Sequence, residues 1–95
     1  MLVNILMLGD VAGSPGMSAL FLGLQGLIKK YKVDFCVVNG ENAAGGFGIC
    51  EDDYYNMKKY GADVITSGNH IWQKNEIFPL LDSKEDLLRP LNYPK

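Results

Sequence analysis

The sequence predicts an α/β fold built of βαβ units with a mainly parallel sheet. Three observations lead there. Three short apolar runs, "LVNILML" (2–8), "VDFCVV" (33–38) and "ADVITS" (62–67), are rich in Val, Ile and Leu and do not alternate cleanly with polar residues. That is the pattern of parallel strands covered on both faces. The segments between them carry helical periodicity. Each run ends in a polar loop, and the loops recur at about the 30-residue length of a βαβ unit. Strands alternating with helices imply right-handed crossovers within one layered domain.

After the first run, Met17, Leu20, Phe21, Leu24, Leu27, Ile28 and Tyr31 recur at helical spacing. Ser14 is placed to cap that helix, and Pro15 suits its first turn. Gly16, Gly23 and Gly26 weaken the helix or allow close packing on the sheet. The second helix is read from "CEDDYYNMKKYG" (50–61). Its acids come first, its lysines last, and Gly61 follows as a C-cap. Cys50, Tyr54 and Met57 can face inward together. In "WQKNEIFPLLDS" (72–83), Pro79 ends or kinks a third helix. "LLRPLNYPK" (87–95) reads as extended, its two prolines restricting the backbone.

The 95 residues make at most one domain, 1–95. Hydrophobic residues are 47%, charged residues 21% and net charge is −2, an ordinary globular profile without the basic stripe of a nucleic-acid binder. The lysine pairs Lys29-Lys30 and Lys58-Lys59 read as solvated caps near helix ends. Two cysteines without a secretory leader argue against a disulfide framework. Cys36 lies in an apolar run and reads as a buried hydrophobe; Cys50 is either buried or a partly exposed thiol. The first ten residues lack a basic leader region, and "ALFLGLQGLI" is short of the ~20 residues a membrane span needs. A cytoplasmic protein without a membrane segment is expected.

The strand-end loops carry the chemistry. "GDVAG" holds Asp10, "NGENAAGG" holds Glu41 and Asn42, and "SGNHIW" holds Asn69 and His70. Asp10 and Glu41 are 31 residues apart, and Glu41 and Asn69 are 28 apart. In a parallel sheet such loops emerge at the carboxyl edge, where α/β folds bind ligands. Two carboxylates brought together there repel unless a cation lies between them. Oxygen donors with some nitrogen suit Mn, Fe, Zn or Mg. The glycines let the backbone turn beside these ligands and leave room for a substrate. Taken singly, each loop has a plainer reading: an Asp turn, an Asn/Gly turn, a structural histidine, and Trp72 as core or pocket wall. Taken jointly, their spacing points to a metal site.

"GDVAG", "NGENAAGGFG", "ITSGNHIW" and "LRPLNYP" occur in this order over essentially the whole chain. Together they resemble the YmdB-like family of calcineurin-like metallophosphoesterases. The resemblance implies the N-terminal half of an αββα sandwich and a two-metal phosphodiesterase, with 2′,3′-cyclic nucleotides as the substrate class. By motif, Asp10 would bind the first metal, Glu41 would bridge both and Asn69 would bind the second. Asn42 would bind a metal too or lie next to its ligands. His70 would act on the phosphate as general acid or charge stabiliser. The chain has one histidine, whereas the family supplies further histidine ligands from its second half. It also has Met17 and Gln73 where the family has a basic residue and, nearby, an acidic one. The expectation is therefore an incomplete metallophosphoesterase domain carrying about half of a two-metal site. An edge strand and an apolar sheet face left open would favour association into a homo-oligomer. The alternatives are a non-catalytic truncated remnant and a phosphate- or nucleotide-binding module; against the module, no "GxGxxG" and no P-loop lysine follows the first strand.

Overall fold

The computed structural model describes residues 2–92. Along the chain come β1 (Ile5–Leu8), α1 (Gly13–Lys30), β2 (Phe35–Asn39), α2 (Glu51–Tyr60) and β3 (Val64–Thr66). Two 3-10 turns, Asn69–Gln73 and Asn75–Ile77, then lead into α3 (Phe78–Ser83). The strands form one parallel sheet in the order β1-β2-β3. Ile5 lies opposite Phe35, and Val38 opposite Ile65. The fold is α/β with a parallel sheet, as the sequence predicts.

β1 is shorter than its apolar run because Asn4 is engaged elsewhere. Its side-chain amide donates to the Lys32 carbonyl at 3.0 Å, and its backbone N–H donates to Asp34 Oδ2 at 2.9 Å. These bonds tie the approach to β1 to the loop that follows α1, where Lys32 takes a positive φ of 52°.

Strand order follows chain order, so both crossovers run the same way. Right-handedness then puts α1 and α2 on the same face of the sheet. Gln25 Nε2 in α1 donates to the Tyr60 carbonyl in α2 at 2.8 Å, and Phe21 meets Tyr60 edge to face. Beneath them lie Cys36, Val38 and Ile65, packed with Leu20, Leu24, Met57, Ile71 and Ile77. The opposite face is not covered among the described residues. Ile5 is 61% exposed, Met7 75% and Phe35 41%. The expectation of strands covered on both faces therefore fails here, while the expected open apolar face is present.

Local details correct several other readings. Ser14 does not cap α1; the helix begins at Gly13 after Ala12, with no side-chain cap. Gly13 has φ +61° and its N–H bonds the Asn42 carbonyl at 2.9 Å, so the start is fixed by the neighbouring loop. Pro15 lies in the first turn, as expected. Of the predicted inward face, Leu20 and Leu24 are buried, but Phe21 and Tyr31 are exposed. Helix α2 follows its prediction: Tyr54 and Met57 are buried, Glu51, Asp52 and Asp53 open it, and Gly61 at φ +131° closes it. Lys58 is more than a solvated cap, since it pairs with Asp86 at 2.8 Å. Pro79 does not end a helix. It occupies the first turn of α3, where its missing N–H has no partner to lose.

After α3, Ile65 N–H donates to Asp86 O at 2.8 Å and Leu88 N–H to Ile65 O at 2.9 Å, which forms a single parallel bridge from Leu87 to Ile65. The predicted extended segment is thus present at its start; its last residues, 93–95, lie outside the described residues. No helix among the described residues is long and apolar enough to cross a membrane.

Candidate functional site

The parallel sheet delivers its three loops to one edge, and the main chain then locks them together. Val11 N–H after β1 donates to the Asn39 carbonyl of β2 at 3.0 Å, and Gly40 N–H donates to the Thr66 carbonyl of β3 at 3.0 Å. An isolated bridge joins Ala12 to Asn42.

On this frame four of the five predicted residues meet through side chains. Asn42 Nδ2 donates to Asp10 Oδ1 at 2.8 Å. Asn42 Oδ1 contacts His70 Nδ1 in a hydrogen bond. Glu41 Oε2 accepts from the His70 backbone N–H at 3.3 Å and lies 3.8 Å from His70 Nδ1. A carboxylate only accepts, so the amide face toward Asp10 is the donor and Oδ1 faces the imidazole. His70 Nδ1 must then carry the proton. Its Nε2 is left as the ring nitrogen available to a substrate. Asn69, exposed at the start of its 3-10 turn, takes no part in this hydrogen-bonded network.

Three residues that sequence reasoning missed shape the site. Asn39 Oδ1 accepts from Glu41 N–H at 3.2 Å, an Asx-turn, and its Nδ2 lies 3.5 Å from Glu41 Oε1. The signal was an Asn two residues before the carboxylate. Gly68 leaves space for Glu41: a Cβ there would lie 2.5 Å from Oε2 and 2.7 Å from Cδ. Phe47 lies edge-on to His70, with ring centroids 5.4 Å apart.

Two carboxylates, amide oxygens and an imidazole are hard to borderline donors, suited to Mg, Mn, Fe or Zn rather than a thiolate-seeking ion. No group of three or more His, Cys, Asp or Glu side chains among the described residues gathers as a cation site. The donor chemistry therefore fits part of a coordination shell. Cys50 has no part in this network. Burial, with a hydrogen bond to Glu76, pushes its thiol up to about 11.

A family model described as YmdB-like protein matches residues 6–95. The chain belongs to the YmdB-like family. It is 46% identical over 93 residues to a Bacillus subtilis (strain 168) member named 2′,3′-cyclic-nucleotide 2′-phosphodiesterase, covering 98% of this chain and 35% of that protein. The solved structure of a Mycoplasma pneumoniae protein, described as a novel phosphatase, superposes with TM-score 0.91 at 36% identity over 97% of this chain and 33% of that one. A hypothetical protein from Thermus thermophilus gives TM-score 0.86 at 41% identity over 95% and 34%. The chain spans about a third of the length of these proteins.

Proposed function

We propose that this chain contributes the Asp10–Glu41–Asn42–Asn69–His70 part of a metal-dependent phosphodiesterase site acting on small phosphodiesters, 2′,3′-cyclic nucleotides foremost. The observation that carries the reading is the hydrogen-bonded run from Asp10 through Asn42 to His70, with Glu41 beside it, at the carboxyl edge of the sheet. The name of the Bacillus subtilis relative supports the substrate class.

Asp10, Glu41, Asn42 and Asn69 would hold two divalent ions together with ligands from outside this stretch, Glu41 serving both. Such ions, when bound, supply positive charge to phosphate oxygens and acidify water for in-line attack. The chain's own residues do the rest. Asn42 holds the His70 ring in one tautomer, its Nδ1–H committed to the amide oxygen. In the protonated ring, His70 Nε2–H donates to the oxygen that leaves phosphorus. Glu41 Oε2 lies 3.8 Å from Nδ1 and accepts from the His70 backbone N–H, which fixes where the ring stands. Two free thiols, Cys36 and Cys50, suit the reducing cytoplasm.

The test compares two variants of the full gene product. Glu41→Gln should release metal, read by elemental analysis. His70→Ala should retain metal and lower turnover of a chromogenic phosphodiester by roughly 10²–10⁴-fold. Unchanged metal in the first variant overturns the bridging role. Equal metal loss in both overturns the division of labour.

A further inference from the structure

Phe47 lies beside His70 without joining the core. It is 57% exposed and absent from the core cluster. The loop that carries it is not slack. Phe47 N–H donates to the Ala44 carbonyl at 3.0 Å, Ala44 N–H to the Gly48 carbonyl at 2.9 Å, and Gly46 N–H to the Asn42 carbonyl at 3.0 Å. Gly45, Gly46 and Gly48 adopt φ of +62°, +97° and +77°, so side chains are strained at the positions flanking Phe47. Gly48 is buried, and a Cβ there would lie 3.0 Å from the His70 carbonyl. The loop is thus pinned to the 3-10 turn that carries His70, and it holds one aromatic ring out at the rim.

We propose that Phe47 is the platform on which the nucleobase of the substrate stacks, which makes it the residue that sets preference for nucleotides over other phosphodiesters. The inference rests on the phosphodiesterase reading of the same site. The Phe47 and His70 rings meet edge to face at an interplanar angle of 72°, and more than half of Phe47 stays open to a further π-system. The two ring centroids are 5.4 Å apart, so a nucleotide whose phosphate meets His70 would have its base within reach of Phe47. Stacking on an aromatic face tolerates every base, because each has a π-face. The preference should therefore be for a base rather than for a particular base.

The experiment uses the metal-loaded gene product, wild type and Phe47→Ala, with two probes: adenosine 2′,3′-cyclic phosphate and the same cyclic phosphate on a methyl riboside. The ratio of their kcat/KM values should fall by about 5- to 150-fold in Phe47→Ala, the range that one base stack gives. Phe47→Trp should restore it. A second readout does not need turnover: calorimetric Kd values for adenosine 3′-monophosphate and ribose 3-phosphate should show the same fall in ratio. If neither ratio moves, whether the rates drop together or stay put, Phe47 is not a base platform. Turnover with unmoved ratios overturns this proposal and leaves the phosphodiesterase reading standing. No turnover with a Phe47-dependent Kd ratio does the reverse.

Discussion

Gly68→Ala tests whether Glu41 is placed by the absence of a side chain opposite it. Gly68 has φ −144° and ψ −151°, extended backbone that any residue adopts, so the substitution meets no backbone strain. The obstacle is the carboxylate. An added Cβ would lie 2.5 Å from Oε2, and ordinary contact begins at 3.4 Å. Glu41 must therefore retreat by about 0.9 Å. A misplacement near 1 Å in a reacting constellation costs about 10²-fold in rate, and that is the expected loss in kcat/KM. The clash is with the far end of a flexible side chain, so the stability cost should be at the low end for an overpacked site, about 1 kcal/mol by urea unfolding. A double-mutant cycle gives the sharper test. In a Glu41→Ala background the clash partner is gone, so Gly68→Ala should cost less than about 0.5 kcal/mol, with the difference appearing as coupling. Additive stabilities, or a Gly68→Ala protein with full activity, would show that the space at Gly68 does not position the carboxylate.

Other perturbations have definite outcomes. Asn39→Ala removes the Asx-turn that holds Glu41; if Glu41 binds metal as proposed, metal affinity should fall roughly 10-fold or more, as for supporting partners of metal ligands, while titration showing unchanged affinity would oppose this. Burial raises the Asp86 carboxyl, but the Lys58 ammonium and Tyr54 hydroxyl outweigh it and hold the group below its usual value. The ionised form is therefore favoured by folding, and this contribution is present above about pH 4 and fades as pH falls through the folded value. Asp86→Asn should cost about 1–2 kcal/mol near neutrality, discounted for partial exposure, and the gap between the two proteins should close on acidification. At pH 8, Cys50, with its thiol pushed up to about 11, should react with iodoacetamide roughly 10²-fold more slowly in the native protein than in urea. Buried Cys36 should be slow as well, and rapid labelling of either would contradict the packing.

What was legible in the sequence was what periodicity and spacing encode. The three apolar runs located the strands, and the recurrence of Asp10, Glu41 and Asn69 located the edge where the loops meet. The less legible features depend on relations between elements. An open apolar face was expected of an incomplete domain, but that α1 and α2 share the other face follows from strand order, which no single run reveals. Pro79 was ambiguous because proline disfavours a helix interior yet suits a first turn, and only the break after Gln73 decides between them. Ser14 lost its capping role to a backbone bond between Gly13 and Asn42, a contact between loops about 30 residues apart. Gly68 and Phe47 escaped notice because the meaning of each lies in its neighbour, Glu41 or His70.

The same relations make the candidate site interdependent. Apart from Asn69, each of its side chains is oriented largely by another member: Asp10 by Asn42, His70 by Asn42 and Glu41, Glu41 by Asn39 and by the space at Gly68. Asn42 occupies the centre, donating to a carboxylate on one side and accepting from an imidazole on the other. Asn42→Asp would place a second carboxylate against Asp10, so the hydrogen bond becomes a like-charge contact. Asn42→Ala would leave the Asp10 oxygen and the His70 Nδ1–H without their partner and free the ring to rotate. Both changes remove one residue yet disturb Asp10 and His70, so their effects should fall well short of additive when combined with His70→Ala. In Asn42→Ala, the rate lost by removing His70 should shrink, because the ring is no longer held. If His70→Ala costs as much there as in the wild type, Asn42 does not orient the imidazole, and the central link of the network is only a contact.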